Sequence, residues 1–338
     1  MESDLITVSR MRDFNACRRR HHIKFDLGYR STHVAPALQF GTLIHCGLEA
    51  WWKEKVALER LPAALAAVGK KSQEGEEIDA VTMAKVEVLL TGYDARWLRP
   101  SFEFEVLAVE VEFRAPLRNP ATGFPCRDLE LAGKLDVIVR KVADGSVWFI
   151  EHKTSSEDVS AGSVYWQRLR MDPQVSIYFG GVRELGHEPA GCLYDVLVRP
   201  DQRPLKATPT ELRKYTKATA KEPSRLYANQ REVDETIPEI RARLAAAVTA
   251  TPELYFARAE VVRLETEIEE SQRDVEETAI QIRSGSHTGH TARNPDACFL
   301  YNRPCPFLGA CDGTASLDDE TKYRKADAQH EELSLSAK

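Results

Sequence analysis

An α/β fold is predicted by three observations along this 338-residue chain. Residues 40–60 carry apolar side chains at helical spacing. Residues 104–115 alternate apolar and charged side chains as a half-buried strand does. Asp144-Gly145 joins two further strand-like runs, and a helical run over 170–186 then leads into a strand over 191–198. Helices and strands are thus interleaved rather than segregated.

Each element has a local reason. Phe40-Gly41-Thr42-Leu43-Ile44-His45 opens a helix reaching about Arg60, with Leu43, Ile44, Leu48, Trp51 and Trp52 on one face. Residues 61–100 continue as helix, interrupted by a polar stretch over 70–77. In the first strand Val109, Val111 and Phe113 alternate with Glu110, Glu112 and Arg114. Residues 116–125 read as a loop, and residues 129–142 and 146–153 as strands joined by the Asp-Gly turn. Residues 209–283 read as helical and charge-rich, with Val261, Leu264, Ile268, Val275 and Ile282 at three/four spacing. The resulting organisation is a basic segment (1–37), a helical region (38–103), a core (104–204), a helical extension (205–285), a cysteine segment (286–312) and a tail (313–338). The tail is charged and poor in large apolar groups, so disorder is expected there.

Composition narrows the class. A hydrophobic content of 43% allows a sizeable core. No apolar run approaches the ~20 residues of a membrane span. The start lacks a positive segment followed by an apolar one, so a cytoplasmic protein is expected. The net charge of −6 argues against a general nucleic-acid coat. Charge is uneven, however: residues 10–30 hold seven Arg/Lys against two Asp, and residues 252–283 hold nine acidic groups against four Arg. A local basic face remains compatible with DNA.

The hairpin supplies the candidate chemistry. A two-residue Asp144-Gly145 turn would set Asp136 opposite Lys153 and Ile138 opposite Glu151. Side-chain alternation then puts Asp136, Glu151 and Lys153 on one face, with the two carboxylates diagonal neighbours roughly 7–8 Å apart by backbone. Leu135, Val137, Trp148 and Ile150 take the other face. Two carboxylates can hold Mg²⁺ or Mn²⁺ through oxygen. A lysine can position water and stabilise negative charge developing on phosphate. A surface hairpin with a cross-strand ion pair would have the same residues, so the motif gains force from its company. His45 follows a glycine that lets its helix approach a neighbour closely, and Gln174 and Tyr178 share one helix face.

In order and context, Phe40-Gly41-Thr42-Leu43-Ile44-His45, Gly133-Lys134-Leu135-Asp136, Glu151-His152-Lys153 and Gln174-x-x-x-Tyr178 resemble the RecB-like nucleases of the PD-(D/E)XK superfamily over residues 9–198. The resemblance implies a restriction-endonuclease-like core, a mixed central sheet flanked by helices. It also implies that His45, Asp136 and Glu151 ligate metal, that Lys153 is the catalytic lysine, and that Gln174 and Tyr178 align substrate. Such nucleases often carry a further glutamate on the preceding strand. Glu110 is the better candidate, with Glu112 on the same face.

Cys298, Cys305 and Cys311 near the end of the chain can be joined by Cys17 if the two ends meet. In a reducing compartment metal is favoured over a disulfide pair. Zinc sites usually contain close cysteine pairs, and none exists here. Iron–sulfur clusters take four thiolates at varied spacing. Both metals stay open, iron–sulfur first. The arrangement of one cysteine before the core and three after resembles the iron–sulfur branch of the family, seen in AddB and CRISPR-associated exonucleases, which implies a [4Fe–4S] clasp. The gap from Cys298 to Cys305 is longer than is common there. Cys46 and Cys192 read as core residues, Cys126 as a non-ligand, and His287 and His290 as solvated loop.

Around Cys17, Arg10, Arg12, Arg18, Arg19, Arg20 and Lys24 are interleaved with Phe14, His21, His22 and Phe25, a pattern suited to phosphates and unpaired bases. No Gly-x₄-Gly-Lys-[Ser/Thr] motif is present, so any helicase activity would need a partner, such as a helicase or recombination protein, or an unusual motif. The resulting expectation is a metal-dependent DNA exonuclease, similar to stand-alone phage and CRISPR-adaptation enzymes, acting on single strands or duplex ends. An inactive DNA-end-binding module of the same fold and a zinc-stabilised nuclease are the alternatives.

Overall fold

Two long strands and their short neighbours form a mixed sheet whose two faces are both covered by helices. The computed structural model describes residues 4–74, 77–119, 121–218, 223–285, 291–300 and 303–334. In chain order the elements begin with β1 (Asp4–Ile6), α1 (Val8–Ala16), α2 (Arg18–His21), β2 (Tyr29–Ser31), α3 (Pro36–Lys53), α4 (Arg60–Lys71) and α5 (Ala80–Trp97). There follow β3 (Phe104–Arg118), β4 (Pro125–Lys141), β5 (Val147–Ser155), α6 (Val164–Leu169), α7 (Pro173–Glu184) and β6 (Pro189–Val198). The chain ends with α8 (Ile237–Ala250), β7 (Phe256–Val261), α9 (Glu265–Gly285), β8 (Phe299–Leu300), β9 (Arg303–Pro304), α10 (Leu308–Asp312), β10 (Tyr323–Lys325) and α11 (Glu331–Ser334).

β3, β4 and β5 are antiparallel, β6 joins β5 in parallel, and β7 closes the edge antiparallel to β6. β1 lies parallel to the opening of β4. One face packs Ile138, Phe149, Cys192 and Val196 against α1, α7 and α9 through Met11, Val175, Phe179 and Val275. The other packs Val137, Val139, Ile150 and Leu193 against α3, α4, α5 and α8 through Ile44, Val68, Leu89 and Leu244. This is a central mixed sheet between two helical layers, as expected. Among the described residues no helix is long and apolar enough to cross a membrane.

Four readings of the fold need correction. Val137 pairs with Ile150 and Arg140 with Val147, while Lys141 N–H bonds Ser146 O at 2.8 Å and Gly145 N–H bonds Lys141 O. The turn therefore spans residues 142–145, and the register differs by two from a two-residue turn. A shift of two preserves which side chains share a face, but it sets Asp136 opposite Glu151 rather than Lys153. Second, residues 209–283 are not continuously helical. They contain an irregular excursion up to α8 and then β7, whose short sequence Phe-Ala-Arg-Ala-Glu-Val hides a strand behind charge. Val261 belongs to that strand and Leu264 is exposed, while Ile268, Val275 and Ile282 are buried.

Third, the tail is anchored over the described residues 313–334. β10 pairs antiparallel with β2, and its one aromatic residue, Tyr323, is buried in a small core with Ile23 and Phe307. Fourth, the aromatic groups near Cys17 are not a stacking platform. Phe14, His21 and Phe25 are buried, Arg10 is buried against Asp4 and Leu5 O, and Asp13 takes both Arg20 and Lys24 at 2.8 and 2.6 Å. Hydrophobic burial and local ion pairing use up most of that segment. His287 and His290 lie outside the described residues.

Candidate active site

The site forms where β4 and β5 cease to pair. Beyond Val137–Ile150 the carboxylate of Asp136 intervenes between the strands, and Oδ2 accepts the backbone N–H of His152 at 2.7 Å. Glu151 and Lys153 flank that amide and turn their side chains to the same face, where they form a direct ion pair. From α7, Gln174 links both: Nε2 donates to Glu151 Oε1 at 2.7 Å, and Oε1 accepts from Lys153 Nζ at 3.1 Å. Asp172 fixes the start of α7 by accepting Gln174 N–H, and it also accepts Arg12 of α1 with both carboxylate oxygens at 2.8 and 2.9 Å.

α3 brings His45. Its apolar stripe, including Leu43, Ile44, Leu48 and Trp52, is sunk in the core, leaving His45 on the flank with Nδ1 3.4 Å from Asp136 Oδ1. A Cβ at Gly41 would stand 3.2 Å from Thr154 Oγ1, so the glycine allows the helix to pass tightly over the end of β5. β3 brings Glu110, which has φ of +53°. A non-glycine residue in the left-handed region carries strain of order 1–3 kcal/mol and is concentrated at functional sites. Donor atoms of His45, Glu110 and Asp136 all lie within 4.8 Å of one another. Glu110 is also ion-paired to Lys134.

The electrostatics suit a cation. Burial and the Asp136 charge push the Glu110 carboxyl up. Burial likewise pushes Glu151 up to about 7, against the pull of Lys153. Burial opposes ionisation of Asp136, yet His45, His152 and Lys153 outweigh it and hold the carboxyl well below the usual range. His45 and Lys153 are raised because carboxylates overcome their burial. Glu151 Oε2 is buried without a hydrogen-bond partner among the described residues. An orphan carboxylate oxygen beside one imidazole and two further carboxylates fits a hard divalent cation of the Mg²⁺ or Mn²⁺ class.

Tyr178 is buried edge-on to Phe113 and Phe149. It borders the same cleft, of about 800 Å³, whose cationic lining includes Arg12, Lys53, Lys70, Lys71, Lys134 and Lys153. Sequence reasoning did not assign Lys53, Lys70, Lys71 or Lys134 to the site. The Lys70-Lys71 doublet, read as an interruption of helix, was the available signal. Leu333 of α11 also reaches the cleft wall.

The sheet order, the opposed carboxylates and the adjoining lysine have a family counterpart. A family model described as "PD-(D/E)XK nuclease superfamily" matches residues 5–312. The chain belongs to the PD-(D/E)XK nuclease superfamily. No curated protein matches it. Among solved structures it is similar to a "Putative exonuclease" from Eubacterium rectale, with 12% identity, a TM-score of 0.49, and coverage of 98% of this chain and 93% of the other. It is also similar to SSO0001, with 14% identity, a TM-score of 0.24 and coverage of 75% and 78%.

Behind this candidate site lies a buried network. His152, Asp195 and Arg258 stand side by side on β5, β6 and β7. His152 Nδ1 is 3.2 Å from Asp195 Oδ2, which also accepts Arg258 at 2.8 Å and Tyr93 OH at 2.9 Å.

The cysteines divide by place. Cys192 is buried in the core, as expected. Cys46 is half-buried at the cleft rather than in the core, and Cys126 is half-buried beside Glu276. Cys17, Cys298, Cys305 and Cys311 are free and half-buried. Burial raises the Cys305 and Cys311 thiols, and the charges of Cys17 and Cys298 bear on both. Cys305 N–H bonds Cys298 O at 2.7 Å, and Asn294 donates to Ala16 O at 2.8 Å. The two chain ends therefore meet at these residues.

Proposed function

We propose that this protein is a metal-dependent DNA exonuclease of the RecB-like, iron–sulfur branch. The observation that carries the nuclease reading is the gathering of His45, Glu110 and Asp136 donors beside the Glu151–Lys153 pair. These residues, with Glu151, would hold Mg²⁺ or Mn²⁺, whose chemistry is to activate water and neutralise charge on a phosphodiester. Lys153 stays protonated and places its ammonium against charge developing on the phosphate. Gln174 fixes that ammonium by bonding both it and Glu151. Tyr178 borders the path of the strand, and Arg12 and Lys71 supply positive charge on the cleft lining.

Four thiols on joined chain ends support a [4Fe–4S] group held by Cys17, Cys298, Cys305 and Cys311; burial raises the Cys305 and Cys311 thiols, and Arg20 and Arg19 oppose that rise only in part. A single tetrahedral zinc, with Zn–S bonds of about 2.3 Å, would need these sulfurs to converge closely. A cluster is larger than a single ion and accepts four thiolates at varied spacing. Its contribution would be structural, fastening the ends of the chain beside the nuclease sheet.

The test is cleavage of end-labelled linear DNA and closed circular DNA with Mg²⁺ or Mn²⁺. The proposal expects mononucleotides or short products from linear ends and intact circles. Circle cleavage at a comparable rate would replace the exonuclease reading with an endonuclease one.

A further inference from the structure

Between β6 and α8 the chain makes an excursion from Arg199 to Thr236 that none of the site chemistry uses. A loop of this length in an α/β unit is unusual, and such loops commonly carry function. It folds back on itself in successive rungs. Leu205 pairs with Glu235, Thr208 N–H bonds Arg231 O, and the Lys206 and Ala207 groups bond Asp234. Farther out, Tyr227 N–H bonds Lys214 O at 2.9 Å and Thr216 N–H bonds Arg225 O at 2.8 Å, flanking the Tyr215–Leu226 bridge. Its base is clamped by Arg243, which makes bonds of 2.8 Å to both oxygens of Glu235.

The composition opposes that of the whole chain. Residues 199–231 hold nine Lys/Arg against three Asp/Glu, in a protein of net charge −6. Lys206 and Arg231 are neutralised by Asp234 and Glu239 near the base. Lys214 and Arg225 are exposed and have no ion-pair partner among the described residues. The register puts Lys214 opposite Tyr227 and Thr216 opposite Arg225, so alternation sets these four side chains on one face of the ribbon. Tyr227 is 45% exposed there, across the ribbon from Lys214 and two residues along its strand from Arg225.

The root of the ribbon is close to the catalytic strand. Arg199 N–H bonds Ser155 O at 2.7 Å, two residues beyond Lys153. The Arg199 guanidinium lies over the Phe40 ring of α3, the helix that carries His45. The ribbon is thus rooted at the end of β5 and against α3, the two elements that carry Lys153 and His45.

We propose that residues 205–217 and 225–235 form a nucleic-acid-binding arm, in which Lys214 and Arg225 neutralise phosphates and Tyr227 stacks on a base. Charge complementarity selects a polyanion over a protein partner, and an exposed aromatic ring on the face that carries these cations suits an unpaired strand. This inference rests on the DNA reading of the site and extends it to a surface outside the cleft.

The test uses the full-length protein with chelator present, so that binding is read without cleavage. Fluorescence anisotropy of a labelled single-stranded 30-mer is measured over a range of salt for wild type, the Lys214→Gln/Arg225→Gln double variant and Tyr227→Ala. Unfolding midpoints are recorded to establish that each variant is folded. The double variant is expected to bind about tenfold more weakly at moderate salt, with the slope of log affinity against log salt reduced by about 1.4, from two lost phosphate contacts at ~0.7 each. Tyr227→Ala is expected to lose about five- to tenfold with the slope unchanged. Folded variants that keep both the affinity and the slope of a binding-competent wild type would overturn the arm and leave a protein partner as its occupant. Failure of the wild type itself to bind would overturn the DNA reading of the site as well.

Discussion

The backbone N–H of His152 donates to Asp136 Oδ2 at 2.7 Å. The amide between Glu151 and Lys153 thus fixes the carboxylate of the neighbouring strand, and the same residue's imidazole faces Asp195 on the far side of the sheet. Site geometry and core electrostatics are joined through one residue.

Asp195 makes the first consequence testable. Its carboxylate is buried, with Arg258, His152 and Tyr93 around it, and the cations hold its carboxyl below the usual range despite burial. Removing one member of a buried ion pair leaves an uncompensated charge, at a cost of about 3–5 kcal/mol. Arg258→Ala should therefore lower unfolding free energy by about that amount in chemical denaturation. A loss under about 1 kcal/mol would show that the network is not a stabilising unit.

The second prediction concerns pH. In metal-free protein Glu151 is raised to about 7 and His45 is raised as well. The folded state then holds more protons than the unfolded chain between the ordinary glutamate value and about 7. Stability must accordingly fall as pH rises through that window. A bound cation displaces those protons, so Mn²⁺ affinity should rise with pH through that window. Calorimetric titration at several pH values, in buffers of different ionisation enthalpy, measures both affinity and proton release. Affinity independent of pH from 5.5 to 7.5 would contradict the assignment of Glu151 and His45 to the cation.

The third concerns the clasp. Cys→Ser substitution at Cys17, Cys298, Cys305 or Cys311 should remove visible absorbance and most iron from anaerobically purified protein. Cys126→Ser should retain both. Colourless wild-type protein with stoichiometric zinc would replace the cluster with zinc.

The legible parts of the sequence were those with a strong period. The apolar stripe of α3 and the alternation of β3 were readable, because each sequence repeats with the period of its element. Asp136, Glu151 and Lys153 were placed on one face even though the register was off by two, since strand side chains repeat with period two. β7 was hidden because Arg258 and Glu260 interrupt its apolar pattern, and only the structure reveals that Arg258 is paired to Asp195. The excursion after β6 has no period at all. Its rungs come from side-chain and backbone bonds such as those of Glu235 and Asp234. The aromatic residues near Cys17 looked free because their partners, such as His330 beside Phe25, are distant in sequence.

The central claim is that Asp136 holds the cation and Lys153 serves the chemistry. The most direct measurement pairs Mn²⁺ titration with cleavage of end-labelled DNA for wild type, Asp136→Ala and Lys153→Ala. Asp136→Ala should lose both metal binding and cleavage. Lys153→Ala should still bind Mn²⁺ while cleavage falls about 10²–10³-fold, the cost of removing one charge-stabilising donor. Wild-type cleavage rates in both variants would contradict the account.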